Sequence, residues 1–137
     1  MQQEQNASAI IDRVAGVLDV AQGPKLAIVY GSVAAGNMRS DSDVDVAVLF
    51  DHALSAVQKI QLKDRLEQEL LRPVDLVDLS NLSGTILKQI LCKGRIVIRK
   101  DSKVLAALYQ RMIYNQEDMM PYVRRTLLER QQRFFNG

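Results

Sequence analysis

Residues 31–45 read Gly-Ser-Val-Ala-Ala-Gly-Asn-Met-Arg-Ser-Asp-Ser-Asp-Val-Asp, and they connect an apolar run at 26–30 to a second run that begins at residue 43. Short runs rich in β-branched residues are typical of strands. Glycine directly after a strand permits a tight turn and a close approach of the backbone to a ligand. If a helix begins after Ser32, its free N–H groups would form a phosphate site. The segment therefore predicts a strand–turn–strand unit, while the Gly-Ser turn taken alone is weak evidence for a phosphate site.

The second feature is the acidic pair Asp43 and Asp45. Residues two apart on a strand point to the same face, so these carboxylates are expected to be neighbours. Carboxylates that close repel each other unless a cation lies between them. Mg²⁺ suits such a pair, because it completes its shell with water and substrate phosphates. An isolated Asp-x-Asp is more often a solvated strand end, but here a candidate phosphate turn lies ten residues before it.

A third carboxylate would complete a two-metal site for in-line displacement at phosphorus. The next apolar run, at 74–79, contains two candidates, Asp75 and Asp78. They are three residues apart, so on a strand they face opposite ways and only one can face the acidic pair. We favour Asp75, because it stands early in its strand as Asp43 and Asp45 do in theirs, and Asp78 is the alternative.

The rest of the chain alternates between helix and strand patterns. Ser55 with Gln58 resembles a capping box at a helix start, and Pro121 is expected to break or kink the last helix. The order predicts a single α+β domain over residues 1–137, with one sheet of about four strands and helices packed on it. The predicted strands are 26–30, 43–50, 74–79 and 96–98, and the predicted helices are 7–20, a brief turn within 31–42, 55–71, 82–92 and 102–135.

Composition excludes several classes of site. The 137 residues contain one cysteine, Cys92, and one histidine, His52. An internal disulfide, a cysteine zinc site and a histidine-based catalytic triad are therefore excluded. The first residues lack the pattern of a secretory signal, and no run is long and apolar enough to span a bilayer, so we expect a cytoplasmic protein without membrane contact.

Charge is uneven along the chain, although the net charge is only +2. Residues 1–98 hold 10 basic and 12 acidic residues, whereas 99–137 hold 8 and 4. Direct binding of nucleic acid is not expected from so small a net charge. The basic and aromatic C-terminus favours partner docking over an ordinary solvated helix face, because Arg and aromatic residues are enriched at interfaces. Its residues are Arg124, Arg125, Arg130, Arg133, Phe134 and Phe135.

Gly31-Ser32, ten intervening residues and Asp43-Val44-Asp45 together resemble the signature of the DNA polymerase β-like nucleotidyltransferase superfamily. The segment around Asp75 is similar to the strand that carries the third carboxylate of that superfamily. The resemblance covers roughly residues 25–99. The short chain resembles the minimal (MNT-type) nucleotidyltransferases, which are commonly the antitoxins of HEPN/MNT toxin–antitoxin pairs.

The resemblance implies a polymerase β palm-like fold with a mixed sheet, Mg²⁺ and ATP, and transfer of AMP to a hydroxyl. In the antitoxins the hydroxyl belongs to a tyrosine of the HEPN toxin, a ribonuclease that the modification silences. By position, Gly31 and Ser32 would hold the triphosphate and Asp43 and Asp45 would bind both metal ions. Asp75 would bind the catalytic metal and help deprotonate the acceptor.

One departure from the family pattern is Ala35, where many relatives have arginine. Arg39 is the candidate to supply the missing positive charge. The alternative is that phosphate binding is weaker than in those relatives. A non-catalytic antitoxin that acts by binding alone is therefore an alternative. Transfer to a small-molecule hydroxyl, such as that of an aminoglycoside, is a second alternative, disfavoured because only about 35 residues follow the last predicted strand.

Overall fold

The computed structural model describes residues 2–39 and 41–119. Its sheet has four strands in the order β3-β2-β1-β4. The strands are β1 (Leu26–Tyr30), β2 (Val44–Leu49), β3 (Val74–Asp78) and β4 (Arg95–Arg99). The helices are α1 (Gln2–Leu18), α2 (Gly31–Ala35), α3 (Ala56–Leu70), α4 (Gly84–Lys93) and α5 (Ser102–Met119), and a 3₁₀ turn covers Leu79–Asn81.

The sheet is mixed. β1 pairs antiparallel with both β2 and β4, and β2 pairs parallel with β3. A parallel neighbour needs a crossover connection, and α3 provides it between β2 and β3. The predicted α+β class, with one small mixed sheet of four strands, is confirmed.

Strand alternation divides the core into two layers. Val29 and Val46 belong to the cluster that α1 and α3 cover, whereas Ile28 and Ala47 belong to the cluster covered by α4 and α5. All four side chains are no more than 1% exposed. Because successive side chains of a strand point to opposite faces, a central strand between two helical layers must be apolar throughout. The continuous run in residues 26–29 meets that requirement.

Local sequence features determine where several helices begin. The predicted capping box at Ser55 is present: its side chain accepts from the Gln58 amide, and the Gln58 side chain accepts from the Ser55 amide. α1 begins earlier than the predicted residue 7, because Gln and Glu favour helix without any apolar periodicity. α2 starts directly at Gly31, where a loop was expected first.

The last predicted helix is described as far as Met119. The predicted break or kink at Pro121 and the basic, aromatic segment from Arg124 to Phe135 lie outside the described residues. Within the described part of the chain, no helix has the length and apolar character needed to cross a membrane.

Candidate active site

One edge of the sheet gathers the predicted site residues. β1 ends at this edge, while β2 and β3 begin there. Asp45 pairs in register with Tyr30 on one side and with Asp75 on the other. Neighbouring strands are roughly 4.8 Å apart and paired residues point to the same face. Two carboxylates and a phenol ring therefore stand side by side across three strands.

Asp43 reaches the same edge from the preceding loop. The sequence pattern placed it at the start of the strand, but β2 begins one residue later, at Val44. The Val44 amide donates to the Pro73 carbonyl at 2.9 Å, which fixes the start of β2 against the residue before β3. Asp43 is solvent-exposed, and its charge acts on Asp45. The structure thus places Asp75 beside Asp45 and puts Asp43 close enough for its charge to act on Asp45.

The electrostatics of this edge favour a cation. Partial burial raises the pKa of Asp45, and the charges of Asp75 and then Asp43 raise it further. Burial, with smaller contributions from Asp45 and Asp75, raises the pKa of Tyr30 to about 12. Both shifts express the cost of adding negative charge here. A cation between the carboxylates would remove that cost.

The contact with Asp45 and the backbone angle at position 31 both favour glycine there. Its φ of +71° lies in the left-handed region that favours glycine. A Cβ at this position would overlap the Oδ2 atom of Asp45. The backbone and the carboxylate are therefore packed directly against each other, which no other residue at position 31 would allow.

The short helix α2 begins at this contact. Its N-cap residue, Tyr30, makes no side-chain capping hydrogen bond, and the first amides of any helix have no partner within the helix. Ser32, in the first turn, is partly exposed. Amides and a hydroxyl beside the carboxylates form the surroundings that a nucleotide phosphate would need, although five residues are too few for a strong helix dipole.

The carboxylates do not form a closed metal cage. Across residues 2–39 and 41–119, no three Asp, Glu, His or Cys side chains are grouped so that they could hold a metal ion by themselves. The donor set at the sheet edge nevertheless fits Mg²⁺, which binds through one or two carboxylates and takes its other ligands from water and substrate phosphates. We infer that the residues present fit an ion that arrives with a nucleotide.

Asp78, the alternative third carboxylate, makes hydrogen bonds at the other end of β3. It accepts hydrogen bonds from the Leu54 amide at 2.8 Å and from the Ser80 amide and hydroxyl at 3.0 and 2.7 Å. Burial opposes ionisation, but these hydrogen bonds prevail and lower the pKa of Asp78. Asp78 therefore caps the 3₁₀ turn at the far end of β3, and the geometry favours Asp75 as the partner of Asp45.

Arg39 is held through its backbone, while its side chain is exposed. The Arg39 amide donates to the Ser42 hydroxyl at 2.7 Å, and the Ser42 amide donates to the Arg39 carbonyl at 3.1 Å. Its contact with a phosphate stays a prediction. Sequence reasoning missed Arg72, whose guanidinium binds this same turn. No local pattern pointed to it, because its partners lie about thirty residues earlier.

A wide pocket of about 810 Å³ lies at the opposite end of the sheet and includes none of the predicted site residues. Lys25, His52 and Arg65 are among the residues that line it. It is far from the carboxylates, and a site for phosphates and metal ions can be shallow and polar. We therefore place the candidate active site at the acidic edge.

Two curated proteins are similar to part of this chain. The protein adenylyltransferase MntA of Shewanella oneidensis is 35% identical over 74 residues, which are 53% of this chain and 53% of that protein. The protein adenylyltransferase MntA of Thermococcus cleftensis is 41% identical over 63 residues, 46% of this chain and 64% of that protein. The matched region thus spans between about half and about two thirds of these relatives.

Solved structures share the fold over most of the chain. A toxin–antitoxin with AMP-PNP has a TM-score of 0.71 at 20% identity, covering 88% of this chain and 98% of the other. A complex of tri-AMPylated Shewanella oneidensis HEPN toxin with MNT antitoxin has a TM-score of 0.63 at 20% identity, covering 94% and 98%. At this identity the likeness establishes the fold.

The family model described as polymerase beta, nucleotidyltransferase matches residues 13–103, about two thirds of the chain. The match includes β1 to β4 and all three carboxylates at the sheet edge. The chain belongs to the polymerase β nucleotidyltransferase family.

Proposed function

We propose that this protein is an antitoxin adenylyltransferase that transfers AMP from Mg–ATP to a hydroxyl, a tyrosine in our proposal, of a partner HEPN ribonuclease toxin. The observation that carries the proposal is the in-register pair Asp45 and Asp75, with Asp43 beside it and Gly31 packed against it. In a member of this family, that arrangement is suited to phosphate chemistry with divalent metal ions.

Each residue has a distinct part in the proposed reaction. Asp43 and Asp45 would hold both metal ions, and Asp75 would hold the one nearest the acceptor. When bound, Mg²⁺ supplies charge neutralisation for the triphosphate and the leaving group. Gly31 and Ser32 would bind phosphate oxygens through backbone and hydroxyl groups, and Arg39 would add the positive charge that Ala35 lacks.

The transfer itself needs little covalent participation from the protein. The acceptor oxygen bonds to the α-phosphorus of ATP, the bond to the β-phosphate breaks and pyrophosphate leaves. Asp75 accepts the acceptor's proton in this scheme. Rate then comes from positioning and from electrostatic stabilisation, as in phosphoryl transfer generally.

Two findings support the choice of acceptor. The curated relatives carry the name protein adenylyltransferase, and one structure with the same fold is a tri-AMPylated HEPN toxin with its MNT antitoxin. We propose that the same class of partner binds this chain in a hetero-oligomer.

The direct test incubates the protein with α-labelled ATP, Mg²⁺ and a HEPN-type protein, taken from the neighbouring reading frame if that frame encodes one. We expect label on the HEPN protein, lost in an Asp43→Asn, Asp45→Asn double variant. Asp64→Asn, an exposed carboxylate on α3, is the matched control and should label normally. Undiminished labelling by the folded double variant would refute the proposal. Label found only on an added aminoglycoside would redirect it to a small-molecule acceptor.

Binding without catalysis is the second candidate. Ala35 in place of the family's arginine and the absence of a preformed three-ligand cage among the described residues favour it. Neutralisation of the HEPN protein by the same double variant, without ATP, would support this candidate over transfer of AMP.

A further inference from the structure

Arg72 lies in the three-residue reversal between α3 and β3. Leu71, the C-cap residue of α3, has a φ of 54°, and Pro73 follows Arg72. The reversal sends the half-buried Arg72 side chain across to the loop before β2. Its Nη1 atom donates to the Arg39 carbonyl at 2.9 Å and to the Ser42 carbonyl at 3.4 Å.

The two carbonyls belong to the turn that immediately precedes Asp43. On the other side of Asp43, the Val44 amide donates to the Pro73 carbonyl at 2.9 Å. The backbone is therefore tied to the Arg72–Pro73 segment both before and after Asp43. The same segment leads directly into β3, which carries Asp75.

We propose that Arg72 is a positioning residue that fixes Asp43 relative to Asp75. This inference rests on the proposed function for its catalytic consequence. The geometry itself joins the loop that bears one predicted metal ligand to the strand that bears another. Residues that orient metal ligands typically change metal affinity or activity by about 10- to 100-fold when they are removed.

A general structural role would have a different signature. Arg72 is only half-buried, and the two carbonyls that it binds lie at an exposed or partly exposed surface where water can replace it. Loss of Arg72 should release the loop before β2 while the sheet keeps its stability.

The test compares Arg72→Ala and Arg72→Lys with Arg65→Ala, an exposed arginine on α3 that lines the pocket at the opposite end of the sheet. The first measurement is amide hydrogen exchange of a peptide containing Ser42, Asp43 and Val44. The second is the Mg²⁺ concentration that gives half-maximal AMP transfer.

We expect Arg72→Ala to speed exchange of that peptide by about 10-fold or more, with unchanged protection in β1. It should raise the half-maximal Mg²⁺ concentration by about 10-fold. Arg72→Lys should restore part of both, because both hydrogen bonds come from one nitrogen that an ammonium can replace.

Equal behaviour of Arg72→Ala and Arg65→Ala in both measurements would overturn the inference. Equal loss of protection in β1 and in the loop, with no rescue by lysine, would also overturn it, because Arg72 would then be merely structural. If the unaltered protein transfers no AMP, the proposed function fails, while the exchange measurement still decides whether Arg72 holds the loop.

Discussion

Gly31→Ala isolates the contact on which the site's geometry depends. Gly31 and Gly36 both have left-handed φ angles, +71° and +76°. An alanine at either position therefore bears a similar backbone penalty, about 1–2 kcal/mol. Their surroundings differ: a Cβ at 36 meets nothing within 4 Å, whereas a Cβ at 31 overlaps the Oδ2 atom of Asp45.

The magnitude follows from that overlap. The Asp45 carboxylate must move by about 1 Å to admit the methyl group, and a misplacement of that size can lower a rate by about 100-fold. Such a loss corresponds to about 2.7 kcal/mol of transition-state stabilisation. Gly36→Ala should lose the same folding stability but less than about 10-fold in rate.

The assay measures initial rates of AMP transfer at saturating Mg–ATP, alongside urea unfolding of both variants. Matched unfolding midpoints with a rate difference of about 10-fold or more between the variants would support the conclusion that the contact between Gly31 and Asp45 positions the carboxylate. Equal rates for the two alanine variants would refute the reasoning, because Asp45 would then tolerate displacement.

Three further predictions concern single residues. Asp45→Asn should lower AMP transfer by at least about 100-fold while raising thermal stability slightly, because it removes repulsion at the acidic edge; rates and thermal midpoints measure both. Asp78→Asn should lower the free energy of unfolding by about 1–3 kcal/mol at pH 7, because charged hydrogen bonds to Leu54 and Ser80 are weakened. Because the pKa of Asp78 is lowered from its ordinary 3.8, this stabilisation is present above that value and is lost as pH falls through the lowered pKa. Urea unfolding at pH 7 and at pH 3 should therefore show a smaller difference between variant and parent at pH 3. Leu71→Gly should raise the thermal midpoint by about 3 °C in calorimetry, because the 84% exposed leucine sits at a left-handed φ that glycine adopts freely; an unchanged or lower midpoint would contradict this.

Local pattern was sufficient for the framework of the fold. β-branched runs bounded by Gly31, Pro73 and Gly94 predicted all four strands, because a buried strand must be apolar and must end where backbone direction changes. The capping box at Ser55 is equally local, since its hydrogen bonds join residues three apart. These features depend on neighbours along the chain and can be interpreted without tertiary structure.

Only part of the candidate site could be predicted from the sequence in this way. The spacing of Gly31-Ser32 and the Asp43–Asp45 pair indicated phosphate and metal chemistry. The strand period separated Asp75 from Asp78, and the position of Asp75 early in its strand favoured Asp75. The sheet adds an independent reason for Asp75, because parallel register sets Asp75 beside Asp45 while Leu54 and Ser80 bind Asp78.

By itself the amino-acid sequence determined the elements, their order and the kinds of side chain available for chemistry, because strand and helix periods and turn residues act over a few positions. Only the tertiary structure decided that Gly31 packs against Asp45 and that Arg72 holds the turn before Asp43. Those contacts join residues that are 14 to 33 positions apart in the sequence. Strand pairing and a crossover helix bring these residues together, so no short-range pattern could contain the contacts.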